Sequence, residues 1–302
     1  MTTTPSSPRL AAGILMALAS SVSFALNLTA ARLTYDDGAD PFTVSLARTA
    51  FFALALLVAL AAMGRRLGIP KGQGHARFTI GAMMVVQLLT ILAAIEFIPL
   101  GVAILIYYTY PFMIAGIVAA WERRRPPVRR VAAMLVALAG LAIVLGVDTA
   151  SLDWRGIACA FASAVSFALI IVWSGRSMAG QDSTVLAYHV MGVAALVLAA
   201  IAAAGQPLSW PRGTTGWIML SVSALCFLSA TVFLFGGIAR IGPVRASLID
   251  YGSPIWAIVF GILLLGERMA PLQWTGAAVV IGAIFLDQMA DLRARRRQPP
   301  SP

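Results

Sequence analysis

Charge is scarce in this 302-residue chain: 11% of its residues are charged, against about a quarter in soluble domains. Hydrophobic residues make up 60%, and mean hydropathy is +0.88. So little polar surface cannot cover a globule in water, and the apolar residues must face lipid. Lysine is nearly absent. The single Lys71 follows no G-x-x-x-x-G-K-[ST] pattern, which excludes ATP hydrolysis by a P-loop. Cysteine is limited to Cys159 and Cys226, both within apolar runs. They read as small buried hydrophobes, not as a disulfide. No His/Cys/Asp/Glu group has metal-ligand spacing, and no nucleophile–base constellation occurs. The sequence therefore predicts no metal, no cofactor and no enzyme.

What the chain does have is long apolar runs. A spanning helix needs about 20 mostly apolar residues. Ten segments fit: 10–31, 42–64, 78–97, 99–121, 128–147, 154–175, 184–204, 214–238, 244–265 and 271–290. Only Ile98-Pro99 separates the third from the fourth. The fold class is an all-α integral membrane protein with ten transmembrane helices. The first run, preceded by Arg9, also has features of a signal peptide, but its internal twin, described next, cannot be one. The net charge of +10 does not point to nucleic acid, because the basic residues cluster between the runs. With the N-terminus in the cytoplasm, inner segments hold 17 of the 22 Lys and Arg and outer segments four, with Arg48 inside a run. That is the positive-inside bias. It predicts a multi-pass protein of the plasma (inner) membrane with both termini cytoplasmic. Residues 291–302 would be a basic cytoplasmic tail facing anionic lipid.

ASSVSFAL at 19–26 recurs as ASAVSFAL at 162–169, 143 positions on. The same offset carries Ala103 to Ala246 and Pro111 to Pro254. Glu122-Arg123 and Pro126 match Glu267-Arg268 and Pro271 at an offset of 145, and TVSLAR at 43–48 matches TVLAYH at 184–189 at 141. Two five-helix copies follow, 1–147 and 148–290. Because five is odd, the second copy enters the membrane upside down. An inverted 5+5 repeat of this kind encloses a site near the midplane and exposes it alternately to either side.

The mid-helix prolines, the LLLGERMAPLQWTGAAVVIGA segment and the ten-helix length together resemble the EamA-type branch of the drug/metabolite transporter superfamily. The resemblance covers nearly the whole chain, and the L-G-E…G…G run at 265–282 is its most specific part. The first copy departs from it, reading WERRRPPVRR. The resemblance implies export of small metabolites without ATP hydrolysis, in a family that includes exporters of amino acids, aromatic ones among them, and importers of other metabolites.

Ionisable residues inside spans cost about 2.5–3.5 kcal/mol on insertion scales, so the few present are candidates for the substrate site. Arg48 lies about 9 Å into the second span at 1.5 Å per residue. It can hold a carboxylate bidentately, or snorkel outward or pair with Glu96. Asp250 and His189 enter their spans at similar depth. They can pair, bind a substrate ammonium or carry a proton, or simply be solvated at the inner mouth. Tyr107, Tyr110 and Pro111 share one helix face, as do Asp250, Ser253 and Pro254. Each proline frees a backbone carbonyl, so these faces suit a wet substrate wall. Asn27 and Gln87 can bind substrate or join helices. Trp173 and Trp256 can stack on substrate or anchor at the interface.

These residues suit a zwitterion with an apolar or aromatic side chain. The sequence predicts a secondary transporter exporting small metabolites, amino acids first, with other metabolites or drugs as the alternative. A channel would need a continuous polar ring, which two unlike copies do not supply. The expected partners are a small-molecule substrate and the lipid bilayer, and a monomer suffices to enclose a cavity.

Overall fold

The computed structural model of the chain describes residues 7–65, 68, 74–123, 126–146, 152–177, 183–265 and 270–296. Among these, every regular element is a helix: α1 (Ser7–Asp36), α2 (Pro41–Ala62), α3 (Gly74–Phe97), α4 (Leu100–Tyr107), α5 (Tyr110–Glu122), α6 (Val128–Leu145), α7 (Trp154–Ser177), α8 (Ser183–Ala203), α9 (Thr214–Ile241), α10 (Pro243–Asp250), α11 (Ser253–Leu265) and α12 (Pro271–Arg296). Nine described stretches are long and apolar enough to cross a bilayer, and Pro271–Asp287 adds a shorter tenth. The pairs α4/α5 and α10/α11 each make one of these spans. Helix ends differ from expectation at two places that matter. The third helix begins at Gly74, so Arg77, expected in a loop, is helical and buried. The last helix runs past 290 to Arg296. Lys71, the Gly266-Glu267-Arg268 motif and residues 297–302 lie outside the described residues.

Local chemistry sets the boundaries. Asp40 caps α2, its Oδ1 accepting the Thr43 N–H at 2.9 Å, with Pro41 in the first turn. Gly242, at φ 83°, turns the chain between α9 and α10, and Pro243 starts the next helix.

The duplicated octapeptide makes the same joint twice. Ser20 Oγ donates to the Ala230 carbonyl at 2.9 Å, and Ser163 Oγ donates to the Gln87 carbonyl at 3.1 Å. Donors and acceptors alike are related by the 143-residue offset. The glycines follow suit. A Cβ on Gly13 would stand 2.5 Å from Ile241 Cγ2, and one on Gly156 would stand 2.7 Å from Ile98 Cγ2. The first helix of each copy thus packs on the third helix of the other, α1 on α9 and α7 on α3. Equivalent helices meet directly in α2–α8 and α6–α12, which places these pairs on the pseudo-twofold axis. In the latter pair a Cβ on Gly276 would stand 2.7 Å from the Gly140 carbonyl oxygen. Asp287, fully buried, lies between Arg129 at 3.7 Å and Arg130 at 3.6 Å.

One end of the bundle is tied across the copies. The Gly213 N–H donates to Asp37 Oδ2 at 2.6 Å. The Ser209 N–H donates to Asp40 Oδ2 at 2.7 Å, and the Asp40 N–H donates back to the Ser209 carbonyl at 3.2 Å. Burial opposes the Asp40 charge. Hydrogen bonds from the Thr43 hydroxyl and from the Thr43, Ser209 and Phe42 amides outweigh it and hold the carboxyl below its usual range.

Candidate functional site

Both proline-bearing spans break at the same place. Pro111 and Pro254 sit in the first turns of α5 and α11, just after interruptions at 108–109 and 251–252. Proline has no N–H, so the helix ladder is lost there. Beside it, the Phe112 N–H turns to the Thr109 carbonyl and the Ile255 N–H to the Gly252 carbonyl, both i to i−3. Backbone oxygens are thereby released in the middle of the bundle. The kinks expected from the sequence are full breaks.

The breaks carry the polar centre. Asp250, at 6% exposure, accepts the Tyr110 hydroxyl on Oδ2 at 2.7 Å, across the two copies. Ser253 Oγ lies 3.0 Å from Oδ1 and 2.7 Å from the Asp250 carbonyl that Pro254 leaves without a donor. Tyr107 stands edge-on to Tyr108 and tilted against Tyr110. Phe167, from the second copy of the octapeptide, stands edge-on to Tyr110 at 4.8 Å. Asp250 has no cationic partner among the described residues.

Its counterpart is Arg48. The guanidinium carbon lies 4.8 Å from the Phe227 ring centroid, and Nη2 donates to Ser45 Oγ at 3.2 Å. Nε is buried and unbonded. Phe24, the first-copy equivalent of Phe167, and Phe52 both stand edge-on to Phe227. The two octapeptide phenylalanines therefore sit at the two charged stations, Phe24 by Arg48 and Phe167 by Asp250. Arg48 has no carboxylate partner among the described residues. Glu96, its expected alternative partner, is exposed at the end of α3.

Other expected members lie elsewhere. His189 does not pair with Asp250. Arg77 donates to its Nδ1 at 2.9 Å, while the Val185 carbonyl competes for the same nitrogen at 2.8 Å. His189 is held by α3 and its own helix, while Asp250 is held by Tyr110 and Ser253. Nor is Asp250 a solvated residue at the inner mouth, because tyrosines enclose it. Asn27 accepts the Ser223 hydroxyl at 2.8 Å, joining α1 to α9. Gln87 meets Ser163 Oγ through its side chain at 3.5 Å and its carbonyl, joining α3 to α7. Trp173 is partly buried against the core; Trp256 is 38% exposed. Arg77, at 3% exposure, was missed, because it stands among the charges that flank a span and looks like a loop cation.

The EamA-like transporter family matches this chain twice, over residues 11–146 and 154–286. An uncharacterized transporter of Bacillus subtilis, YcbK, is 26% identical, with 95% of this chain and 96% of that protein covered. The threonine/homoserine exporter RhtA of Escherichia coli K12 is 27% identical over 63% of each chain. A crystal structure at 19% identity superimposes with a TM-score of 0.80 over 96% of this chain and 99% of its own; at that identity it speaks for the fold alone.

Proposed function

Because the chain belongs to the EamA-like transporter family, we propose that it exports small zwitterionic metabolites, amino acids first among them, by alternating access without ATP hydrolysis. One observation carries this reading. A half-buried cation whose Nε is shut off from solvent, Arg48, and a buried anion, Asp250, lie in one bundle, and neither has a counter-charge among the described residues. Such charges are costly in a membrane interior unless a ligand completes them. The fork of Arg48 suits a substrate carboxylate. Asp250 suits its ammonium group, and the Tyr107/Tyr110/Phe167 and Phe24/Phe52/Phe227 surfaces suit an apolar or aromatic side chain. The similarity to a threonine/homoserine exporter is in keeping with this substrate class.

Both termini face the cytoplasm in this reading, the membrane is the plasma (inner) membrane, and one chain suffices. The copies are 1–147 and 148–290. The test is counterflow in proteoliposomes. Vesicles are loaded with unlabelled amino acids, and entry of labelled phenylalanine or threonine is followed. Saturable, stereoselective exchange that Arg48→Ala and Asp250→Asn abolish is the expected result. Exchange with no amino acid, from folded protein, overturns the substrate assignment.

A further inference from the structure

Tyr108 and Tyr251 are equivalent residues, 143 positions apart, and they touch. Their rings lie 5.6 Å apart, both side chains are buried, and the Tyr251 hydroxyl donates to the Tyr108 carbonyl at 2.7 Å. A contact between equivalents marks the pseudo-twofold axis. This bond nevertheless has a direction. Among the described residues the Tyr108 hydroxyl does not return it to the Tyr251 carbonyl. Both carbonyls have lost their helix donors, since the Phe112 and Ile255 amides turn one residue short. One is capped by a hydroxyl, and the other has no donor among the described residues.

We infer that Tyr108 and Tyr251 form a two-position hydroxyl switch on the axis. The bond from Tyr251 to the Tyr108 carbonyl holds the state seen here, and its reverse, from Tyr108 to the Tyr251 carbonyl, holds the opposite access state. The reason is symmetry. An inverted repeat reaches its second state when the two copies exchange conformations. That exchange turns every asymmetric contact between equivalents into its mirror. The break in each span supplies the free acceptor, and the buried surroundings exclude water that would cap it. In the present state the 37–40 and 209–213 loops are tied, so this end is closed. The switch rests on the alternating-access reading above, and not on the substrate.

The two hydroxyls then have opposite effects. Tyr251→Phe removes the donor of the present state, and Tyr108→Phe removes the donor of the other. The reporter is Val44→Cys, fully buried beneath the tied end among Ala31, Ala39 and Leu220, in a background with Cys159 and Cys226 replaced by alanine. Its labelling rate by a maleimide is measured on purified protein in detergent. One neutral hydrogen bond changes the population ratio by about three- to tenfold. Tyr251→Phe is expected to raise the rate by that factor and Tyr108→Phe to lower it. Equal effects, effects of the same sign, or no effect would overturn the switch. If Tyr251→Phe does not fold, Tyr108→Phe alone decides, and a rate that fails to drop overturns it. Labelling needs no substrate, so a negative counterflow result leaves this test intact.

Discussion

At the scale of single residues, the proposed binding chemistry rests on charges that stand apart from their opposites. Arg48 and Asp250 are legible in the sequence because an ionisable residue interrupts an apolar run conspicuously. What each touches is not legible. Depth and face can be counted along a helix, but which other helices stand against that face cannot, which is why the meeting of His189 on α8 with Arg77 on α3 is not foreseen. Lysine at position 48 keeps the charge but not the planar fork. Arg48→Lys should therefore raise the apparent KM for exchange by about tenfold, the loss of roughly one charged hydrogen bond, with little change in maximal rate. Asp40 offers a pH test. Its folded carboxyl is held below its usual range, so its contribution is present above the unfolded value and fades as pH falls through the folded one. The unfolding midpoint of the native protein should exceed that of Asp40→Asn at neutral pH. The gap should begin to narrow below about pH 4 and go on shrinking as the pH falls further.

At the scale of elements, the apolar runs are legible because lipid demands a minimum length of a crossing: nine of the ten predicted spans are described stretches long enough to cross, and Pro271–Asp287 is a shorter tenth. The partners of each helix are another matter. Packing between helices in lipid is carried by small residues and single hydrogen bonds, which leave only a faint trace in one sequence. The octapeptide repeat is that trace, and the paired bonds of Ser20 and Ser163 account for it. Ser20→Ala and Ser163→Ala should each lower stability by a small and similar amount, about 0.6 kcal/mol, in chemical unfolding from mixed micelles. Glycines separate more sharply. Gly276→Ala drives a methyl group into the Gly140 backbone and should cost about 1–3 kcal/mol. Gly192→Ala meets nothing within 4 Å and should be neutral or stabilising by up to about 1 kcal/mol through helix propensity. Thermal unfolding of the two variants side by side tests this contrast.

At the scale of the whole molecule, the two copies are alike in scaffold and unlike in what the scaffold holds. Tyr107 in one copy stands where Asp250 stands in the other, and Tyr110 where Ser253 stands. In the proposed alternating-access cycle the scaffold would exchange its two conformations while the proposed binding residues stay fixed in place. In that proposed cycle the tie between 37–40 and 209–213 opens. Asp37→Ala removes its 2.6 Å bond to the Gly213 amide. The variant should speed maleimide labelling of Val44→Cys while leaving the unfolding midpoint within a degree or two, since the loops lie outside the packed helices.

The pairing of first helices with third helices also governs how the protein is made. Ser20 finds its acceptor 210 residues further along the chain. A ribosome adding about 5–20 residues per second needs roughly 10–40 s to deliver it. Through that interval Ser20 and Asn27 sit in the bilayer or the insertion machinery with their later partners still unmade. The first copy is thus an unfinished client until translation nears its end. A slow stretch of codons between the copies would lengthen its exposure to membrane quality-control proteases without changing a single amino acid.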